Sequence, residues 1–103
     1  MSSFNPLAGM KKVPFRFEWK DDPNVDSVTV DPIGNGEITP MHKETKEDGS
    51  IIWVATVDLY IATQRFIFVV NGKRRLSSHY DMQPRSDKHV IHAEDFAKQG
   101  FYP

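Results

Sequence analysis

The sequence contains no cysteine, so structural disulfides, thiol catalysis and cysteine-ligated zinc are excluded. It also lacks an excess of charge of one sign. Thirteen Lys and Arg against 14 Asp and Glu give a formal net charge of −1, which argues against a nucleic-acid-binding protein. No apolar run approaches the roughly 20 residues that span a bilayer, and the first twelve residues lack the apolar core of a secretory signal. We therefore expect a cytoplasmic protein that binds neither nucleic acid nor membranes.

The length of 103 residues predicts one domain with a modest core. The first part of the chain mixes Ser, Asn, Pro and Gly without periodicity, so we expect residues 1–12 to form a flexible lead. Residues 13–92 then form the predicted β domain, and residues 93–103 form a C-terminal extension.

The strongest structural pattern lies in the stretch Gln64–Leu76. Residues 66–70 are apolar on both faces of a period of two, which is typical of a strand inside its sheet or covered on its outer side. Asn71-Gly72 supplies the pair with positive φ that a two-residue hairpin needs, so Lys73–Arg75 begins the return strand.

Other segments alternate in the same way. Residues 15–19 and 51–59 each show a half-buried pattern, and the second follows an Asp-Gly turn at 46–50. Shorter strands are predicted at 27–30, 41–45 and 88–92, with a loop at 31–36. About seven short strands predict an all-β fold, an immunoglobulin-like antiparallel β-sandwich, with a small open barrel as the competitor. Helix formers from Ala93 that end at Gly100 predict a short C-terminal helix.

A family resemblance runs through the Asp48-Gly49 turn, the strand that follows it, the hairpin Phe66-Ile67-Phe68-Val69-Val70-Asn71-Gly72, and Pro84. This order resembles the glycogen- and starch-binding modules of carbohydrate-binding module family 48, found in β subunits of AMP-activated protein kinase and in starch-branching enzymes. The resemblance covers roughly residues 13–92. It implies an early-set immunoglobulin-like sandwich that holds α-glucans by stacking tryptophans on the sugar rings.

The stacking positions of that family are not aromatic in this chain. The segment at 31–37 contains no aromatic residue, the second tryptophan position falls near Lys73 or Arg74, and the binding lysine matches Ile67. Because stacking supplies most of the apolar contact in shallow sugar sites, we expect the fold without the standard glucan site. A different sugar site would draw on Tyr60, Asn71, Lys73, His79 and Tyr80.

Trp19 and Trp53 lie on inward-facing rows and are predicted to be core residues. On the opposite face, the apolar side chains Ile52, Val54, Ile67 and Val69 form an outer row. If they lie side by side and uncovered, they form a patch that suits another protein or a second copy of the chain. The alternative is that Phe96, Phe101 and Tyr102 cover the row.

The run Lys73-Arg74-Arg75 could contact an acidic partner. The alternative interpretation is that these cations stay solvated and keep an edge strand from pairing with neighbouring molecules. The candidate protein-interaction residues are therefore Ile52, Val54, Ile67, Val69, Arg74 and Arg75.

No residue pattern predicts catalysis or metal binding. Ser77-Ser78-His79 with Asp81 has the residue types of a nucleophilic triad, but a triad converges from separated elements and not from one loop. His89 and His92 project to opposite faces of a strand, so they do not form a metal site with His79. Asp21 and Asp22 are interpreted as solvated turn charges. The sequence thus predicts a non-enzymatic module without a cofactor, for protein interaction, regulation or assembly, with α-glucan binding as the alternative.

Overall fold

The computed structural model of the protein describes residues 11–33 and 37–102. Its elements are β1 Lys12–Trp19, β2 Val28–Ile33, β3 Thr39–Pro40, β4 His42–Thr45, β5 Ile51–Tyr60, β6 Gln64–Val70, β7 Lys73–Arg75, β8 His89–Ile91 and α1 Ala93–Lys98. Sheet A has the order β1-β5-β4. Sheet B has the order β3-β2-β6-β7, with β8 also paired to β6. Every pairing is antiparallel, and none joins sheet A to sheet B among the described residues. The predicted all-β sandwich is therefore confirmed, and it is not a barrel.

The core forms where the inner rows of the two sheets meet. Phe17 of β1 packs against Phe66 of β6 with ring centroids 4.7 Å apart. Trp19 packs against Phe68 at 5.2 Å. These tilted contacts are the arrangement that aromatic pairs prefer. Both tryptophans are buried, as their place on inward-facing rows predicts.

The predicted organising hairpin is confirmed. β6 lies inside sheet B, with β2 on one side and β7 and β8 on the other, which explains why it is apolar on both faces. Asn71 and Gly72 have φ values of 50° and 79°, and Val70 pairs directly with Lys73. A two-residue turn with both φ values positive matches the twist of the flanking strands.

The strand predicted at 41–45 is found as β4, and the unpredicted two-residue strand β3 precedes it, so the sandwich has eight strands among the described residues where about seven are predicted. Thr39 and Pro40 pair with β2 in sheet B, whereas His42–Thr45 pairs with β5 in sheet A. Between them, the backbone N–H of Met41 donates to the carbonyl of Val28 at 2.8 Å. The chain therefore passes from one sheet to the other at Met41 and closes this side of the sandwich.

The prediction of a loop at 31–36 is wrong for residues 31–33. Asp31, Pro32 and Ile33 continue β2 and pair with β6. β3 pairs only as far as Val30, so β2 is an edge strand beyond that point, and an edge is where a sheet tolerates proline. Gly34, Asn35 and Gly36 lie outside the described residues, as does most of the predicted lead.

The C-terminal helix is confirmed, and it contributes a side chain to the core. The N–H groups of Gly100 and Phe101 donate to the carbonyls of Ala97 and Phe96, and Gly100 has a φ of 90°, which is a Schellman ending. Phe96 is fully buried, with its ring centroid 4.8 Å from that of Phe15. Within the described ranges, no helix is long and apolar enough to cross a membrane.

Candidate functional site

The basic edge, which we define as Lys73, Arg74 and Arg75, forms the whole of β7. This strand is an edge strand of sheet B, with β3 at the opposite edge, and all three residues are exposed. Arg74 lies 3.6 Å from Asp87, and Arg75 lies 3.4 Å from Asp22. Lys73 has no ion pair with any described residue. The edge position suits both interpretations made from the sequence, since it protects the sheet from pairing and presents cations to an acidic partner.

Arg75 also has a structural contact. It pairs with Phe68, so its side chain extends on the core side of sheet B. Its guanidinium carbon lies 5.4 Å from the ring centroid of Trp19, a cation–π distance. Arg75 therefore helps to close the open side of the sandwich, and Lys73 and Arg74 are the more available cations of the basic edge.

The apolar outer row does not form one patch. Ile52 and Val54 lie on β5 in sheet A, whereas Ile67 and Val69 lie on β6 in sheet B. All four point away from the core, so the two pairs are on opposite outer faces of the sandwich. Ile52, Val54 and Ile67 are only 4%, 2% and 3% exposed, and Val69 is half-buried. The four side chains are neither side by side nor uncovered, so they do not form a large exposed apolar surface.

A charged network covers the outer face of sheet A. The guanidinium of Arg16 on β1 donates to Glu18 at 3.1 Å and to Glu44 on β4 at 2.8 Å. Because β5 lies between β1 and β4, the Arg16 side chain crosses β5 near Val54. Lys20 adds an ion pair with Glu18 at 3.3 Å. The stems of these long side chains shield apolar surface and leave their charges in water. The hydrogen bond from Arg16 lowers the pKa of Glu44. The outer face of sheet A is therefore covered by charged side chains and not by Phe96, Phe101 and Tyr102.

The five candidate sugar-site residues do not come together. Tyr60 ends β5 next to the start of β6, whereas Asn71 and Lys73 follow the other end of β6. Seven strand residues separate these ends by about 20 Å. Lys12 lies over the ring of Tyr60 at 5.3 Å. Asn71 is a structural residue, because its Oδ1 accepts hydrogen bonds from the N–H groups of Asp26 and Ser27 at 2.8 and 3.1 Å.

Tyr80 is partly buried and packs against the aromatic core. Its ring centroid lies 5.1 Å from that of Phe66, and its hydroxyl accepts the backbone N–H of Glu18 at 2.8 Å. Burial raises the pKa of Tyr80 to about 12. With His79 it lines a cleft of about 260 Å³ between α1 and the segment before β8. Among the described residues, Tyr102 is the one aromatic side chain that is largely exposed, at 71%.

Asp21 is exposed, as its interpretation as a turn charge predicts, but it also has structural partners that the sequence did not indicate. Its carboxylate accepts hydrogen bonds from the hydroxyls of Ser77 and Ser78, both at 2.6 Å, and from the N–H of Ser78 at 2.9 Å. Burial opposes ionisation of Asp21, but these donors outweigh it and hold its pKa at about 2. The contact was missed because 56 residues separate Asp21 from Ser77. Asp22 is half-buried and forms an ion pair with Arg75.

The three histidines considered as metal ligands are also separated. His89 is fully buried, and its Nε2 accepts the backbone N–H of Ser77 at 2.8 Å. His92 precedes α1, and its Nδ1 lies 3.5 Å from the hydroxyl of Thr63. His79 is exposed. Over the described ranges, no group of three or more His, Cys, Asp or Glu residues could hold a metal ion.

No protein-family model matches the chain, and a search of curated proteins found no match either.

Proposed function

We propose that this chain is a non-catalytic binding module that acts in protein interaction, regulation or assembly, and that its basic edge contacts an acidic surface of a partner protein. The observation that carries the proposal is the placement of three consecutive exposed cations on an edge strand of sheet B. The chain as a whole has a net charge of −1, so these cations form a local feature and not part of a general positive field.

The ion pairs of the basic edge leave it available for a partner. The side chains of Arg74 and Asp87 are each 67% exposed. Exposed pairs of this kind contribute about 0–1 kcal/mol because water screens them. An acidic partner surface that excludes water can therefore replace Asp87 as the contact of Arg74.

The non-catalytic part of the proposal draws support from groups that would otherwise be candidates for chemistry. The Ser77 hydroxyl donates to Asp21, so the hydrogen bond that a general base would need is already used. The Nε2 atom of His89 accepts a backbone N–H, so its lone pair is not free to activate a nucleophile. Both groups have structural partners in place of a reacting one.

The resemblance to glycogen-binding modules fits the same proposal. The sandwich offers the scaffold, while the two indoles lie in the core and Tyr60 lies at the opposite end of β6 from Asn71 and Lys73. A module that keeps the scaffold without exposed indoles is better suited to bind protein than glucan. Glucan binding is therefore treated as the competing outcome of the test.

The double variant K73E/R74E tests the basic edge. Immobilised wild-type chain is used to capture partners from an extract of the source organism, and captured proteins are identified and then titrated individually. We expect K73E/R74E to weaken binding of an acidic partner at least tenfold, and the wild-type affinity to fall as salt is raised. The matched control K11E/K46E changes two exposed lysines away from β7 and should bind like the wild type.

Equal loss in K73E/R74E and K11E/K46E would contradict a specific basic edge. Co-sedimentation of the wild-type chain with amylose or glycogen, with no protein captured, would favour the glucan alternative.

A further inference from the structure

The basic edge leads directly into two serines, in the order Arg74-Arg75-Leu76-Ser77-Ser78. Serine kinases select substrates partly by charge pattern. Kinases with an acidic substrate groove favour arginine three residues before the serine that they modify. Arg75 lies three residues before Ser78, and Arg74 lies three residues before Ser77, so both serines have this spacing. This order of residues is a second feature of the basic edge, separate from its proposed contact with a partner.

The structure distinguishes the two serines by accessibility. Ser77 is only 5% exposed, whereas Ser78, Leu76 and both arginines are exposed. β7 has three residues and lies at the edge of its sheet. Such a short edge strand opens at low cost, since few backbone hydrogen bonds must break. An extended enzyme groove can therefore reach Ser78 without unfolding the core.

Ser78 also has a specific structural contact that modification would change. Its hydroxyl donates to Oδ2 of Asp21 at 2.6 Å, and its backbone N–H donates to the same oxygen at 2.9 Å. Asp21 follows the end of β1, 57 residues away in sequence. These bonds, with that from Ser77, hold the segment after β7 against sheet A.

We propose that Ser78 is a phosphorylation site for a serine kinase that recognises basic residues, and that its phosphate releases residues 76–79 from Asp21. The γ-phosphoryl group of ATP forms a bond with Oγ of Ser78 as its bond to ADP breaks, and the hydroxyl proton passes to a base of the kinase. The modified oxygen has no proton to donate to Asp21.

The negative charge of the phosphate explains why residues 76–79 would be released from Asp21. A phosphoserine carries about −1.5 to −2 charges at neutral pH. At the present separation of 2.6 Å between the hydroxyl and Asp21, the phosphate and the carboxylate would repel each other strongly. Arg75, which lies 3.4 Å from Asp22, offers the phosphate a cation with suitable fork geometry. The segment therefore exchanges Asp21 for a basic partner.

The folded full chain is tested with Mg-ATP and the catalytic subunit of cAMP-dependent protein kinase as the probe enzyme. We expect one phosphate per chain, located on Ser78 by peptide mapping. Incorporation should fall at least tenfold in S78A and persist in S77A. The variant R75K keeps the charge over Trp19 but loses the guanidinium fork, and it should be modified several-fold more slowly. Absence of phosphate on Ser78 of the wild-type chain would overturn the assignment of the site. Equal rates of phosphorylation of the wild type and R75K would overturn it as well.

Hydrogen exchange then tests the release. Amides 76–80 should exchange several-fold faster in the phosphorylated chain than in the unmodified one. In unmodified D21N these amides should exchange faster than in the unmodified wild type, and phosphorylation of D21N should raise their exchange rate little further. Unchanged exchange on phosphorylation would overturn the release. S78A leaves the basic edge intact, so failure here is distinguishable from failure of the proposed partner contact.

Discussion

At the scale of single residues, His89 is a polar side chain whose protonation state is fixed by its neighbours. Its Nε2 accepts the N–H of Ser77 at 2.8 Å. A backbone N–H only donates, so Nε2 must be unprotonated and the ring neutral, with its proton on Nδ1 facing the carbonyl of Asp81 at 3.3 Å. Burial lowers the pKa of His89, against the smaller opposing effects of Asp81 and Asp21. Tyr80 packs on the same ring, with centroids 5.9 Å apart.

This arrangement predicts loss of stability in mild acid. Since the pKa of His89 is lower in the folded chain than the usual value of about 6.5, the unfolded chain binds more protons there. The contribution of His89 to stability is then constant above about pH 6.5 and falls below it, by up to about 1.4 kcal/mol per pH unit for one proton. Urea unfolding between about pH 5 and 7 measures this slope, because the Asp21 contribution is lost only below about pH 4.

The variant H89Q is the control for that slope. Glutamine offers an amide oxygen to the Ser77 N–H and does not titrate. We expect H89Q to unfold with a flatter pH dependence than the wild type. Equal slopes in the two proteins would assign the acid sensitivity to other groups.

At the scale of elements, the outer edge of β1 is covered by side chains from the last quarter of the chain. The Gln99 amide accepts from the N–H of Arg16 at 2.8 Å and donates to its carbonyl at 2.9 Å, across 83 residues. Tyr80 accepts the N–H of Glu18. Pro14, which has no N–H, occupies the same edge two residues before Arg16. An edge covered in this way cannot add a strand from another molecule.

Gln99→Ala is predicted to open that edge. Loss of both bonds removes about 1 kcal/mol of local stability, so the Arg16 amide should exchange about fivefold faster. The freed edge should also raise self-association, as measured by light scattering at high concentration. Gln83→Ala, in the loop before β8, is the matched control and should change neither quantity. Unchanged exchange at Arg16 would mean that water replaces Gln99 without loss.

At the scale of the whole molecule, α1 completes the core. Phe96 is fully buried against Phe15. This helical side chain therefore fills core space as a phenylalanine on a strand would. The C-terminal segment is in this respect part of the domain core.

Phe96→Ala should therefore cost as much as a truncation in the strands, about 3–5 kcal/mol. That is a large share of the 5–15 kcal/mol typical of a domain. The control Phe101→Ala removes a ring that is only partly buried against the same core, and it should cost clearly less. Both are measured by urea unfolding at neutral pH. Similar small losses in the two variants would show that α1 is attached to the sandwich and does not stabilise it.

Several elements follow from the sequence because their causes are local. Alternation over 15–19, 51–59 and 66–70 predicts β1, β5 and β6, since side chains alternate between the two faces of any strand. Asn71-Gly72 predicts its own turn because both residues tolerate positive φ. The exposed basic edge follows in turn from this hairpin.

The tertiary structure alone decided which surfaces are covered. Ile52 and Ile67 show the same outward alternation, but they lie in different sheets, and sheet membership depends on pairing between distant segments. The passage of the chain between sheets at Met41 likewise depends on a bond to Val28. The tie between Asp21 and Ser78 joins residues 57 positions apart. A pattern within a few residues fixes the direction of each side chain, whereas the partner that it meets is set by how distant strands are brought together.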